Sequence, residues 1–86
     1  VYIEGMRDYR RIFLPNRSIM TLQTFKELEA LIPSTIVCRV HKSFMVALDK
    51  IESIEKDRIK IGEQRIPISD TYKKMFMGMI GRRHTH

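Results

Sequence analysis

Residues 38–51 read CRVHKSFMVALDKI. A short apolar run ending at Val40 leads into His41-Lys42-Ser43, and apolar residues resume at Phe44-Met45-Val46. Two β-prone runs parted by a brief polar break are the pattern of strands joined by a turn. The break carries an imidazole, an amine and a hydroxyl side by side. Three uses of that trio compete: catalysis, metal ligation, and recognition of something anionic.

Catalysis would pair Cys38 as nucleophile with His41 as base. A regular strand sends residues three apart to opposite faces, and no third residue stands ready to orient the imidazole. The reading is therefore not an enzyme. His84 and His86 could share a metal, but no Cys or His lies at ligand spacing from them, so neither a structural zinc site nor any other metal is expected. No phosphate-loop, dinucleotide or zinc-finger pattern occurs, and no cofactor is implied. That leaves an anion-reading surface. Lys42 offers a donor-rich cation, and Ser43 a hydroxyl able to reach phosphate or base. His41 either touches the partner or bonds the backbone and shapes the turn. Arg39 is either a solvated strand residue or a phosphate contact.

The rest of the chain supports a basic binding domain. Eighty-six residues allow one domain with a thin core, and 43% apolar residues spread along the length favour folding over disorder. The formal charge of +6 suits nucleic acid or another anionic surface. Bases gather early (Arg7, Arg10, Arg11), in the middle (Arg39, Lys42) and late (Lys73, Lys74), while acids gather at Glu27 and Glu29 and from Glu52 to Asp57. Cys38 has no intramolecular partner, which fits a reducing, cytoplasmic setting. No apolar run is long enough to span a membrane, and no signal peptide is visible. The abrupt start at Val1 reads as a piece of a longer protein.

Short strands are expected at VYIE, YRRIFL, IMTL, IVCRV, FMV, IESIEK, RIKIG and RIPIS, with tight turns at Lys56-Asp57 and Gly62-Glu63. Two helices interrupt them. Thr24 with Glu27 makes a capping box ahead of Phe25, Leu28, Leu31 and Ile32, and Pro33 ends the run. Ser69 and Asp70 open a second helix with Tyr72, Met75, Phe76 and Met79 as its apolar stripe and Gly81 as its C-cap.

These residues resemble the LytTR DNA-binding domain family, the output domain of many bacterial two-component response regulators. Its signature runs Arg-Val-His-(Lys/Arg/Asn)-Ser-(Tyr/Phe)-x-Val-Asn-x-x-x-Ile. Arg39, Val40, His41, Lys42, Ser43, Phe44, Val46 and Ile51 match it, while Ala47 replaces the usual Asn. VYIEGMRDY, LQTFKELEALIP and RIPISDTYKKMF resemble the family's first segment, central helix and closing strand and helix.

The resemblance implies a mainly β fold, an elongated stack of small antiparallel sheets with two short helices. It covers residues 1–81, and 82–86 read as a frayed basic tail. It implies sequence-specific binding of duplex DNA by three loops in the major groove, controlled by a receiver domain on the same polypeptide. Lys42 falls at the base reader of the middle loop, Arg10 or Arg11 near that of the first, and Asp70 at the third. Arg7, Arg10, Arg11, Arg39, Lys42, Lys73 and Lys74 are the phosphate candidates. Members of the family carry a further pair of strands ahead of Val1. Residues 1–4 are therefore expected to present an unpaired edge, open to homodimerisation. The competing readings are a basic protein-interaction module and a small RNA-binding β-domain, the latter requiring exposed aromatics on a sheet.

Overall fold

Strand pairing, set by the apolar alternation, organises the chain. The structure, a computed structural model, describes residues 1–83. In chain order the elements are β1 (Tyr2–Gly5), β2 (Arg10–Phe13), β3 (Ser18–Thr21), α1 (Phe25–Leu31), β4 (Val37–His41), β5 (Phe44–Ala47), β6 (Ser53–Glu55), β7 (Arg58–Ile61), β8 (Gln64–Pro67) and α2 (Asp70–Arg83). A single 3-10 turn, Leu48–Lys50, joins β5 to β6. The strands form two antiparallel sheets, ordered β3-β2-β1-β5-β4 and β6-β7-β8.

The expected turns are in place. Lys56 sits at φ 54° and Gly62 at φ 59°, the left-handed conformation that two-residue hairpin turns demand. Pro67 ends β8, at the edge of its sheet, where its missing N–H costs no ladder bond.

The larger sheet is the middle of three layers. On one face Ile3 and Met45 are buried against Phe25 and Leu28 of α1. On the other, Cys38, Val40 and Val46 pack with Ile59, Ile61 and Ile66 of the small sheet and with Phe76 of α2, which is wholly buried. The capping box starts α1 as expected: Thr24 N–H donates to Glu27 Oε1 at 2.8 Å, and Glu27 N–H to Thr24 Oγ1 at 3.1 Å.

Four expectations are corrected. The strand at the N-terminus is no edge: β1 pairs with β2 on one side and β5 on the other, and the free edges of the large sheet fall to β3 and β4. Its N–H and C=O groups are therefore occupied within the chain, which removes the stated basis for a homodimer through that edge. Leu31 is 65% exposed, because it lies roughly 120° round the helix from Phe25. Met75, roughly 100° from Phe76, is likewise 43% exposed. Gly81 is not a cap, since α2 continues to Arg83. The rest of the tail, with His84 and His86, lies outside the described residues.

Candidate nucleic-acid interface

The His41-Lys42-Ser43 break lies at the turn between β4 and β5. Opposite Phe44-Met45-Val46 the ladder pairs Cys38 with Val46, Arg39 with Met45, then His41 with Phe44. Val40 is the extra residue, a β-bulge. Its carbonyl instead accepts the N–H of Ser69 at 2.9 Å, fastening the start of α2 to the turn. The bulge also overturns the face argument made for Cys38 and His41. Their cross-strand partners, Val46 and Phe44, are two residues apart and so lie on one face of β5. What separates the pair from catalysis is burial and bonding. The Cys38 thiol is sealed in the core, donates to Arg39 O at 3.6 Å, and is pushed up from its ordinary pKa by burial, with a further contribution from Glu29.

His41 Nδ1 accepts the N–H of Ser43 at 3.1 Å, and the ring meets Phe44 edge-on at 5.7 Å. An acceptor nitrogen bonded two residues ahead holds the turn closed, as an Asx side chain does elsewhere. Arg39 braces the same turn from below. Its Nε donates to His41 O at 3.2 Å and its second terminal nitrogen to Lys42 O at 2.7 Å. The other terminal nitrogen pairs with Glu29 of α1 at 3.2 Å. The guanidinium lies 4.5 Å from the Phe25 ring centroid and 5.1 Å from that of Tyr72. One planar fork thus ties both helices to the turn, a geometry that a lysine amine would not reproduce. Ser43 O accepts Gly5 N–H at 2.7 Å, joining the turn to β1.

Lys42 stands on this braced turn, exposed, and its amine has no ion-pair partner among the described residues. Beside it opens a cleft of about 330 Å³ lined by Gly5, Met6, Arg10, Lys26, Arg39 and Ser43 among others. Four cations line it with Lys42 included, and no carboxylate does. Arg10 lies over Phe25, its guanidinium carbon 5.9 Å from the ring centroid, and its Nε is buried without a partner among the described residues.

The remaining candidates lie apart from the cleft. Arg11 belongs to the opposite face of β2, where it bonds Ser18 Oγ at 3.1 Å and sits over the Tyr9 ring. Arg7 is exposed in the β1–β2 turn, and Asp70 and Lys74 are exposed on the first turns of α2. Lys73 is held by Asp57, Nζ to Oδ1 2.7 Å, which raises its amine above the ordinary value. Of the expected residues the fold therefore gathers Arg10, Arg39, Lys42 and Ser43, with His41 shaping their turn. Lys26 was missed. A cation in the first turn of a helix runs against the usual preference for acids there, and that was the available signal.

Comparison with known proteins identifies the family and the fold. The sequence profile described as "LytTr DNA-binding domain" matches residues 1–81. No curated protein matches the sequence. Among solved structures, a LytTr DNA-binding domain of a response regulator from Bacillus cereus superposes with a TM-score of 0.86 at 23% identity, covering 93% of this chain and 79% of that one. At that identity the superposition speaks for the fold. The profile spans the braced RVHKS turn, both sheets and nearly all of α2, and by that match the chain belongs to the LytTr DNA-binding domain family.

Proposed function

We propose that this domain binds duplex DNA sequence-specifically, with its inter-strand turns in the major groove, as the transcription-regulating output of a response regulator whose receiver domain is on the same polypeptide. The observation that carries the reading is Lys42: an exposed, unpaired cation on a turn held by Arg39, His41 and the Gly5 N–H. Bracing the turn before binding spares the ordering cost that a loose loop would incur. An amine so placed can donate to guanine O6 or N7. Arg10 shares the cleft and the binding face with Lys42, whereas Arg11 is engaged on the other face. Asp70, an acceptor, suits the amino group of cytosine at the third position. Arg7 and Lys74, exposed, suit phosphates.

The competing RNA reading requires aromatic platforms in solvent. Every Phe and Tyr in the chain is buried or half-buried, so that reading lacks its stacking surface.

The test is selection of bound sites from random duplex DNA with the full-length protein, followed by Lys42→Ala on the selected site. Loss of about 1–3 kcal/mol with relaxed preference at one or two base pairs is expected. A loss equal on all sequences would make Lys42 a phosphate contact instead.

A further inference from the structure

The cleft beside the middle turn contains more charge than base reading uses. Arg39 is answered by Glu29, but Arg10, Lys26 and Lys42 have no carboxylate partner among the described residues. A neutral base edge would leave most of that charge uncompensated. The Arg10 side chain is the second clue. Its Nε is screened from water and bonds nothing among the described residues, although native folds rarely leave a buried donor so. The aromatic face of Phe25 beneath it strips the guanidinium of solvent on that side. Two backbone donors in the lining are already taken: Gly5 N–H by Ser43 O, and Met6 N–H by Tyr9 O, at 2.7 and 2.8 Å.

We propose that the cleft seats one phosphate group, gripped by Arg10 and Lys26, and that in the bound state this is the duplex backbone phosphate next to the base pair Lys42 contacts. The inference deepens the DNA-binding reading and its second clause rests on it. Arg10 supplies a planar fork of donors that matches two phosphate oxygens, and Lys26 a mobile point charge. Arg10 is then a register-setting contact, and at the middle loop discrimination between bases falls to Lys42. Lys26, absent from the signature residues, becomes part of the interface.

Lys26 is exposed on α1, so Lys26→Gln leaves the core untouched and is the primary variant. The full chain is titrated with duplex DNA at several salt concentrations, and separately with inorganic phosphate against chloride at equal ionic strength, followed by side-chain NMR shifts of Arg10 and Lys26. Expected is a salt slope shallower by about 0.9 log unit for Lys26→Gln, the same on selected and unrelated duplexes. Phosphate, and not chloride, should shift the Arg10 guanidinium signals. An unchanged slope in Lys26→Gln, while the wild type binds with its full salt dependence, overturns the duplex assignment and leaves DNA binding itself intact. A phosphate response at Arg10 with that unchanged slope gives the site to free phosphate. If the wild type fails to bind any duplex, the DNA reading falls, and the phosphate titration alone decides whether the cleft is an anion site. No response at Arg10 or Lys26 in either titration sinks the proposal entirely.

Discussion

Arg39 shows how much one side chain is asked to do. The residue was open between solvent and phosphate when read as sequence, but its fork is engaged with Glu29, His41 O and Lys42 O and lies close to two rings. On the proposed reading it serves DNA binding by holding the turn that carries Lys42. Arg39→Lys keeps the charge and loses the fork. In a double-mutant cycle, Arg39→Lys and Lys42→Ala should therefore be non-additive in DNA affinity, with a coupling of about 0.5–3 kcal/mol. Once Lys42 is gone, loosening its turn has little left to lose. Additive losses, measured on the selected duplex, would return Arg39 to the status of an independent contact. His41, read as sequence, either touches the partner or shapes the turn, and its bond to the Ser43 N–H supplies the second role.

At the scale of elements, the site depends on how closely β1 and α1 approach. A Cβ added at Gly5 would meet the Phe25 ring at 2.6 Å, far inside contact distance. Phe25 cannot yield freely, since it is buried against Leu28 and lies beneath the guanidinium groups of Arg10 and Arg39. Gly5→Ala should thus overpack this junction and destabilise the fold by about 1–3 kcal/mol. It should also displace the floor of the cleft. Chemical denaturation gives the first number, and duplex binding should weaken in step. Adding Phe25→Leu makes room, so the double variant should be no less stable than Phe25→Leu alone. If Gly5→Ala costs nothing, the close approach is not what the position requires. The sequence marked α1 well through its capping box, because caps are local. It marked the buried face poorly at Leu31, where a two-turn helix presents only Phe25 and Leu28 to the sheet.

For the whole molecule, the place of β1 is the decisive feature. It lies at the centre of the five-stranded sheet, bonded to β2 and β5, and its Ile3 enters the α1-side core. Local opening should therefore spare it. In hydrogen exchange, the amides of β1 should persist far longer than those of β3, an edge strand whose Ser18, Ile19 and Met20 are exposed. Equal exchange in the two strands would mean that β1 does not hold the sheet together. The arrangement also joins the three candidate reading loops to one frame. The β1–β2 turn, the β4–β5 turn and the start of α2 are linked through Gly5 N–H to Ser43 O and Ser69 N–H to Val40 O. No helix among the described residues is long and apolar enough to cross a membrane.

By itself the sequence determined what rests on neighbours along the chain. Strand-sized alternation, the turns at Lys56-Asp57 and Gly62-Glu63, the Thr24–Glu27 cap and the RVHKS motif are all set within a few residues, and they sufficed for the fold class and the family. Tertiary structure alone decided which strand is central, which arginine of the Arg10-Arg11 pair shares a cleft with Lys42, and that Lys26 joins them. It also decided that a bulge at Val40 turns His41 onto the face of Phe44. Each of these depends on pairing between segments far apart in the chain, such as β1 with β5 or Arg39 with Glu29 and Tyr72. A local period records that a residue alternates, but the neighbour it meets is chosen only when distant strands and helices close on one another.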